Sequence, residues 1–226
     1  DKPDLPKVQK AEIKPLADSE MIAFLNAIKG HEYEAVYLVT LFTGMREGEV
    51  LGLTWDCIDF KSGTITIKQQ LQKVRGTGGE YILAPTKNGK SRIVAPAKYV
   101  MQILTRQRKT QIEQRLKAGS AWSNPLDLVF TNSLGKNLCA QTVYLHFKKL
   151  AAEAGVPDAR FHDLRHSYAV AALRSGDDIK TVQENLGHHT AAFTLDTYAH
   201  ITDQMRKESA KRMDSFIEGI QAAKKA

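Results

Sequence analysis

The stretch His162-Asp-Leu-Arg165-His166-Ser says most about the fold and chemistry of this chain. It is followed by Leu186-Gly-His188 and then by Thr197-Tyr198, so an arginine, several imidazoles and a phenol occur within residues 162–198. Much further upstream, a second arginine lies in Thr43-Gly-Met-Arg46-Glu-Gly-Glu49. Side chains of these types can together bind a phosphate diester and attack it without a metal ion.

Arginine suits phosphoryl transfer because its planar guanidinium donates two parallel hydrogen bonds to phosphate oxygens. Arg46 and Arg165 come from distant segments and can therefore clamp both non-bridging oxygens of one phosphate. Taken alone, either arginine is equally consistent with a salt bridge or a solvated side chain.

His162 and Arg165 have the spacing that places two side chains on one face of a helix. His162 would then lie at the helix N-terminus, a position that favours anions. In isolation the motif is also typical of a capping or core histidine. His162 and His166 are spaced as zinc ligands can be, but the sequence offers no zincin glutamate and no evident third ligand. We therefore expect no metal and no cofactor.

Tyr198 is the candidate nucleophile. A free phenol has a pKa of roughly 10, so it needs a nearby base and a positive potential to attack. Most tyrosines are core residues, but the neighbours Asp196, Thr197 and His200 are not typical of a core. Clusters of Asp and Glu for two-metal hydrolysis are missing from the sequence, which favours a covalent, metal-free route.

The composition is that of a basic globular protein. The chain has 226 residues, a net charge of +7 and a sequence pI near 9.3, with 42% hydrophobic and 25% charged residues. A basic surface favours polyanions such as nucleic acid, although charge alone does not decide the partner. The sequence shows no apolar run long enough to span a bilayer and no signal peptide, so we expect a cytoplasmic protein without a membrane partner.

The start of the chain differs in composition from the rest. Residues 1–15 contain three prolines and several lysines with little apolar content, which indicates a linker or arm. Cys57 and Cys139 show no CxxC spacing and are interpreted as reduced thiols. We predict one domain over residues 16–202, followed by a C-terminal helix and basic tail over residues 203–226.

Apolar periodicity predicts a mainly helical chain. Gly30, Gly155 and Gly176 are interpreted as helix stops. We expect helices over about Asp18–Lys29, Tyr33–Phe42, 46–53, Tyr99–Leu116, 140–154, 163–174, 178–186 and 203–222.

The middle of the chain predicts strands. Thr64–Lys68 alternates with Ile65 and Ile67 on one face, and the segments Tyr81–Leu83 and Arg92–Val94 follow. Asn88-Gly89 lies between those last two segments, and Asn-Gly between apolar runs is a strong hairpin signal. The economical arrangement is a three-stranded antiparallel sheet.

Together these motifs resemble the catalytic domain of the tyrosine recombinases, of the phage and conjugative-transposon integrase type. The similarity spans roughly residues 16–202. In that family the first arginine lies in Thr-Gly-x-Arg-x-x-Glu, here Thr43–Glu49, and the second lies in His-x-x-Arg, here His162–Arg165. Leu186–His188 matches the family's Leu-Gly-His, and the nucleophile follows as Tyr198. The resemblance implies the catalytic-domain fold of that family, mainly α with a small three-stranded antiparallel β-sheet.

The resemblance also implies roles for individual residues. The family uses a lysine on a β-hairpin as general acid for the leaving 5′-oxygen. Thr86–Lys90 looks like that hairpin, so Lys87 is assigned to this role and Lys90 is the alternative. Glu49 resembles the acidic residue that supports the family's site. The residues expected to stabilise the transition state are Arg46, Arg165, His162 and His188, with His162 also a candidate proton acceptor.

One spacing departs from the common family pattern. Tyr198 follows His188 by ten positions, whereas many members show one fewer, a spacing that His189 would give. We prefer His188 because it follows Leu-Gly, and His189 stays open as the alternative.

The resemblance implies a site-specific DNA recombinase, the integrase or transposase of a mobile element. Tyr198 would form a 3′-phosphotyrosyl intermediate without metal or ATP, because the bond energy is kept in the phosphotyrosine. Two other functions share the motif set: type IB topoisomerase-like strand cleavage, and a DNA-binding regulator of the same fold that has lost catalysis. Full integrases also carry N-terminal DNA-binding domains, which residues 1–15 are expected to follow.

Double-stranded DNA is the expected partner, in the cytoplasm of a bacterial host. The resemblance implies a homodimer or tetramer on DNA, and an accessory excision factor is a further candidate partner. On the long basic helix, Arg106, Arg108 and Lys109 are candidates for phosphate contacts, with a solvated helix face as the equal alternative. The last helix, with Met205, Phe216, Ile217 and Ile220 on one side, is expected to dock on its own domain or on a neighbouring subunit.

Overall fold

The computed structural model describes residues 14–74, 76, 79–187 and 209–222. Within these ranges the protein is mainly helical. The helices are α1 (Asp18–Ile28), α2 (Glu34–Thr43), α3 (Glu47–Leu51), α4 (Lys98–Ala118), α5 (Ala140–Glu153), α6 (Phe161–Ser175), α7 (Ile179–Leu186) and α8 (209–222). The expected helices are confirmed to within a few residues, except that residues 203–208 of the last one lie outside the described residues.

The strands form two sheets. They are β1 (Ile58–Asp59), β2 (Thr64–Ile67), β3 (Gln69–Lys73), β4 (Tyr81–Pro85) and β5 (Arg92–Val94). β1, β2 and β5 make a three-stranded antiparallel sheet in that order, and β3 and β4 make a separate antiparallel pair. The expected three-stranded antiparallel sheet is therefore confirmed, but one of its expected strands is wrong. The segment Tyr81–Leu83 belongs to β4 and pairs with β3, whereas the third strand of the sheet is β1.

The two unexpected strands lack the alternation that reveals a strand in sequence. β1 is two residues long, too short to show a period. β3 reads Gln-Gln-Leu-Gln-Lys, in which Leu71 is the buried residue, opposite Leu83 of β4. Backbone pairing with β4, packing against α3 and hydrogen bonds from Gln69 to Gly52 and Thr54 hold β3 in place, and none of these produces an apolar alternation in the sequence.

The Asn88-Gly89 turn exists, but it does not join two strands of one sheet. Gly89 has a φ of 65°, its N–H donates to the Thr86 carbonyl at 2.8 Å, and Thr86 Oγ1 donates to the Lys90 carbonyl at 2.8 Å. Because β4 and β5 belong to different sheets, the segment crosses between the sheets. We call residues 86–90 the lysine turn.

The centre of the core is α2. Tyr37, which has no exposed surface, packs against the rings of Phe24, Phe147 and Phe161. Its hydroxyl donates to the Val143 carbonyl at 2.9 Å, so the buried phenol is satisfied. This aromatic cluster joins α1, α2, α5 and α6 into one body.

A close approach at Gly44 brings the functional segments together. Gly44 ends α2 with a φ of 67°. A Cβ at this position would lie 2.5 Å from Tyr168 Cδ1 and 2.6 Å from Leu186 Cδ2, so only glycine fits without a shift. The end of α2, the middle of α6 and the end of α7 therefore meet at one point.

The predicted domain boundaries remain predictions. Residues 1–13 of the expected arm lie outside the described residues, as do residues 203–208 and 223–226 of the expected C-terminal segment. Among the helices in the described ranges, none combines the length and apolar character that a membrane crossing needs.

Candidate functional site

Arg165 is buried, with 2% of its surface exposed, although it carries a permanent charge. From α6 it donates Nη1 to the carbonyl of Gly44 and Nη2 to the carbonyl of Leu186, each at 2.6 Å. These two carbonyls lie at the C-terminal ends of α2 and α7, where helices carry partial negative charge. Two helix ends therefore compensate the buried guanidinium.

Arg46 precedes α3 and is more accessible, with 21% of its side chain exposed. Its Nη1 donates to Glu49 Oε1 at 2.8 Å, and its Nη2 lies 3.4 Å from the Gly187 carbonyl. Arg165 and Arg46 thus contact the successive carbonyls of Leu186 and Gly187. The structure brings together the two arginines of the sequence motifs.

Glu49 is the buried carboxylate of the site, 1% exposed. Its Oε2 accepts the backbone N–H of Arg46 at 2.9 Å, in addition to the bond from Arg46 Nη1 to Oε1. Arg92 forms a fork on both oxygens, with Nη1 3.0 Å from Oε1 and Nη2 2.7 Å from Oε2. Burial alone would raise the pKa of Glu49, but the hydrogen bonds and charges of Arg92 and Arg46 outweigh it and lower the pKa to about 2. The carboxylate is therefore ionised at neutral pH.

Sequence reasoning missed Arg92, which the structure places between Glu49 and α7. Besides the fork, its Nε donates to the Asn185 carbonyl at 2.7 Å. In β5, Arg92 and Val94 share one face of the strand, and Ile93 lies on the other. Val94 is 1% exposed and Ile93 is 69% exposed, so Arg92 faces inwards.

The C-terminal end of α7 is a meeting point of donors from distant segments. The carbonyls of residues 185, 186 and 187 accept hydrogen bonds from Arg92, Arg165, Arg46 and Asn88 of the lysine turn. Gly187 ends the helix with a φ of 62°, and a Cβ there would lie 3.1 Å from Arg92 Cδ and Nη1. The left-handed backbone and the approach of Arg92 both favour glycine at this position.

His162 lies in the first turn of α6, as expected, and keeps solvent access. Its ring meets the ring of His166 edge-on, with centroids 4.8 Å apart. Desolvation and the positive charges of Arg165 and Arg46 lower the pKa of His162 from 6.5, which leaves the imidazole neutral at pH 7. A neutral imidazole at this position can accept a proton.

The lysine turn borders a cavity of about 340 Å³ beside Arg46. Lys87 and Lys90 are both exposed, and Lys90 is the one that lines this cavity. Asn88 Nδ2 donates to the Gly187 carbonyl at 3.0 Å and so connects the turn to the end of α7. The lining consists of Arg46, Thr86, Asn88, Lys90, Ser91, Arg92, Ile93, Glu184 and Gly187.

Three of the sequence candidates lie outside the described residues: His188, the alternative His189, and Tyr198. His188 directly follows Gly187, which is the last described residue before this segment. The described site therefore contains the arginines, His162, the supporting carboxylate and the lysine turn.

Comparison with known proteins identifies the family. Residues 14–205, most of the chain, match the phage integrase family. The chain belongs to the phage integrase family. The resemblance carried by the arginine, histidine and tyrosine motifs is thereby confirmed.

Relatives of this phage integrase family member include named tyrosine recombinases. A XerC-like tyrosine recombinase of Caldanaerobacter subterraneus is 32% identical over 219 residues, covering 92% of this chain and 56% of the relative. The tyrosine recombinase XerA of Saccharolobus solfataricus is 28% identical over 215 residues, covering 95% of this chain and 62% of the relative. The family member thus spans little more than half the length of these relatives.

Solved structures show the same fold. The Tn1549 transposon integrase, solved in complex with transposon right end DNA, superposes with a TM-score of 0.74 at 21% identity, covering 93% of this chain and 69% of that one. The crystal structure of XerA recombinase gives a TM-score of 0.66 at 22% identity. The tyrosine recombinase catalytic-domain fold expected from the sequence is confirmed.

The candidate DNA-contacting residues of α4 are all exposed: Arg106, Arg108 and Lys109. Arg108 stacks its guanidinium over the rings of Trp55 and Phe60, at 5.7 and 5.8 Å from their centroids. Among the described contacts, none links these three side chains to Arg46. Their role in DNA contact stays a prediction.

One histidine cluster in this family member has the side chains of a metal site. His31, Glu32 and His146 place their ligand atoms within 4.8 Å of one another. The Tyr33 N–H donates to His31 Nδ1 at 3.0 Å, which leaves the ring hydrogen on Nε2, 3.0 Å from His146 Nδ1. The two rings therefore satisfy each other by a hydrogen bond without an ion.

Proposed function

We propose that this chain is the catalytic portion of a site-specific DNA recombinase that cleaves and rejoins DNA through a tyrosine. The observation that carries the proposal is the convergence of Arg46 and Arg165 at the end of α7. They contact the Gly187 and Leu186 carbonyls, a few residues before the segment that contains Tyr198. Paired guanidiniums can neutralise the charge that develops on a phosphoryl group during its transfer.

In the proposed reaction, the Tyr198 oxygen attacks a DNA phosphorus and the bond from phosphorus to the 5′-oxygen breaks. His162, neutral at pH 7 because its pKa is lowered, accepts the phenol proton. Lys87 gives a proton to the leaving oxygen, which becomes a 5′-hydroxyl. Because the phosphotyrosyl ester conserves the bond energy, the reverse attack by a 5′-hydroxyl rejoins the strand without a further energy source.

The arginines and His188 are proposed to hold the non-bridging oxygens as negative charge develops. Arg46 is partly exposed and borders the cavity, so a phosphate can reach it directly. Arg165 is 2% exposed and is held by the Gly44 and Leu186 carbonyls, so its guanidinium is already fixed before DNA binds. Glu49 supports this set through its two bonds to Arg46.

Double-stranded DNA is the proposed substrate. The chain has a net charge of +7, and the related Tn1549 integrase was solved with its transposon end DNA bound. Counterion release makes binding by such a surface strongly dependent on salt. We propose that the protein acts on DNA in the cytoplasm of a bacterial host. Similarity to the ICEBs1 integrase of Bacillus subtilis supports the proposal that it belongs to a mobile element.

We further propose that α8 contacts a second copy of the chain on DNA, as a dimer or tetramer. Met213, Phe216, Ile217 and Ile220 on this helix are between 44% and 64% exposed. A run of exposed apolar side chains on one helix is typical of an interaction surface.

Deletion of residues 203–226 is expected to change assembly on DNA, as measured by light scattering of the complex. Unchanged assembly and cleavage would contradict this part of the proposal. An accessory excision factor stays a prediction.

Covalent trapping on DNA of unspecified sequence tests the chemistry. The probe is a duplex library with one 5′-bridging phosphorothiolate at a fixed position and randomised flanks, because a released 5′-thiol rejoins poorly. We expect a protein–DNA adduct that resists denaturant, and mass spectrometry should map it to Tyr198. The matched control is Tyr198→Phe, which keeps the ring and removes the nucleophilic oxygen.

The outcomes of the trapping experiment are distinct. An adduct on Tyr198 whose recovered flanks show sequence preference supports a site-specific recombinase. An adduct without preference, together with relaxation of supercoiled plasmid, would favour the topoisomerase-like alternative. DNA that is bound but never linked, by this chain and by a form extended at its N-terminus, would favour a regulator that has lost catalysis.

A further inference from the structure

Arg92 is a largely buried arginine that the proposed chemistry does not use. Its side chain is 11% exposed and makes three hydrogen bonds: two to the Glu49 carboxylate and one from Nε to the Asn185 carbonyl. Nη1 and Nη2 approach different carboxylate oxygens, at 3.0 and 2.7 Å. A two-bond fork of this kind fixes the plane of the carboxylate as well as its position.

The orientation of Glu49 in turn sets the orientation of Arg46. Oε1 accepts from Arg46 Nη1 at 2.8 Å and also from Arg92 Nη1, so one oxygen lies between two guanidiniums. Oε2 accepts from Arg92 Nη2 and from the Arg46 backbone N–H. If the carboxylate rotated, it would carry the Arg46 side chain with it. Rotation is blocked while Arg92 holds both oxygens.

Arg92 also connects two segments that supply other groups to the site. It lies two residues after the lysine turn, and its Nε bond reaches α7 next to Gly187. Its Cδ and Nη1 come so close to Gly187 that a Cβ there would lie 3.1 Å from each of them. One side chain on the strand after the turn therefore contacts both the carboxylate beside Arg46 and the helix before His188.

We propose that Arg92 is a positioning residue for DNA cleavage, which acts through Glu49 to hold the Arg46 guanidinium towards the phosphate. This inference rests on the proposed function of Arg46 as a phosphate ligand. It assigns no contact between Arg92 and DNA. The lowered pKa of Glu49 is consistent with it, because a carboxylate that stays ionised keeps both arginines in place.

The first variant to compare is Arg92→Lys. It keeps a positive charge beside Glu49, so the buried carboxylate stays neutralised, but it cannot form a fork or reach Asn185 at the same time. We expect the rate of adduct formation on the phosphorothiolate library to fall about tenfold or more, since small misplacements of a positioned group lower rates strongly. The melting temperature should stay close to that of the parental chain.

A matched control is available on the surface. Arg174 forms the same kind of fork on Asp18, with bonds of 2.8 and 3.0 Å, between α6 and α1. Arg174→Lys makes the same chemical change outside the site, and its adduct rate should remain within about twofold of the parental rate. An equal loss in both variants would show a general effect on the fold and overturn the proposal.

Repeating the substitution in an Arg46→Ala chain separates positioning from structure. If Arg92 acts through Arg46, Arg92→Lys should change the residual rate by less than about twofold in that background. A tenfold loss that persists without Arg46 would overturn the proposal. If Arg92→Lys fails to fold, a double variant with Arg92→Gln and Glu49→Gln removes both charges of the ion pair. Its adduct rate is then compared in the presence and absence of Arg46→Ala.

A spectroscopic measurement on DNA-free protein keeps the inference separate from the proposed function. The Arg46 guanidinium, held by Glu49, should give a resolved Nε–H signal in a nitrogen-15 correlation spectrum, assigned by its loss in Arg46→Lys. We expect this signal to shift and broaden in Arg92→Lys and to stay unchanged in Arg174→Lys. An unchanged Arg46 signal in Arg92→Lys would overturn the positioning role. If neither the parental chain nor a form extended at its N-terminus gives an adduct, and the NMR change is as expected, the proposed function is rejected and the linkage between Arg92 and Arg46 stands.

Discussion

Arg46, Glu49 and Arg92, which we call the arginine–glutamate cluster, and the lysine turn both contribute residues to the lining of the same cavity, but they are held in different ways. Glu49, 1% exposed, receives four hydrogen bonds from Arg46 and Arg92. On the lysine turn, Lys87 and Lys90 are exposed, and the described bond to the end of α7 is the one from Asn88.

This difference indicates a division of work in the proposed reaction. Groups that neutralise developing charge act best when they are fixed in advance, because no reorganisation is then needed as the transition state forms. A proton donor has only to reach the leaving oxygen, so it tolerates a mobile support. The predictions that follow test whether the buried side is fixed and the exposed side adaptable, beginning with the largest effect.

Arg165→Lys should cause the largest loss of activity. Lysine cannot donate to the Gly44 and Leu186 carbonyls in the same fork geometry, so the ends of α2 and α7 lose their shared donor. We expect the adduct rate to fall about 10³-fold, the upper range for removing one preorganised donor. Arg160→Lys is the control, because Arg160 directly precedes the same helix, is exposed and pairs with Asp163. If Arg165→Lys cleaves DNA as fast as this control, cleavage does not depend on the fixed position of the Arg165 guanidinium.

Lys87→Ala should cost about 10²-fold in cleavage of an ordinary phosphodiester, within the range for general acid catalysis. The loss should largely vanish on the 5′-phosphorothiolate substrate, because a thiolate leaves without protonation. Lys90→Ala serves as the paired variant, since Lys90 lines the cavity and Lys87 is assigned from the family motif. If Lys90→Ala instead shows the loss on the ordinary substrate and regains activity on the phosphorothiolate substrate, Lys90 is the general acid.

Acid should destabilise the folded protein through His166, a buried residue next to Arg165 on α6. Desolvation first, and then the charges of His162, Arg165 and Arg160 against the opposing Asp163, lower the pKa of His166 from 6.5 to about 4. The unfolded chain binds a proton below pH 6.5 while the folded chain does not, so this contribution to stability is complete above pH 6.5 and is lost as the pH falls towards 4. We expect a loss on the order of 2 kcal/mol in urea unfolding. His166→Gln should show a shallower pH dependence over that interval, and an equal slope would contradict the assignment.

Substitutions of the basic residues Arg108 and Lys109 on α4 should have the smallest effects, and these concern DNA affinity. Arg108 is stacked on Trp55 and Phe60, so Arg108→Gln should lower DNA affinity by less than about threefold. If Lys109 contacts a phosphate, Lys109→Gln should reduce the slope of log affinity against log salt by about one. Fluorescence anisotropy at several salt concentrations measures both, and unchanged slopes would assign this helix face to solvent.

The sequence predicted the helices well because their apolar spacing and glycine stops are local signals. It predicted Arg46, Glu49 and Arg165 as one group through the family motif. The sheets were harder, since β1 is two residues long and β3 has Leu71 as its one buried residue. Whether Arg92 or Ile93 points inwards depends on which face of β5 packs on the core. The packing of β5 against β2 and α7 decides this, and neither contact is visible in the three residues of β5 themselves.

The contact between Gly187 and Arg92 has a consequence for exchanging parts between members of this family. The glycine of the Leu-Gly-His segment is required partly by a side chain on a strand that lies 95 positions earlier. If β5 or the tyrosine-bearing segment were transplanted alone, the residues at positions 92 and 187 would come from different proteins and would not be matched to each other. Chimeric enzymes should therefore exchange β5 and the end of α7 as a unit, and natural sequences should show these two positions varying together.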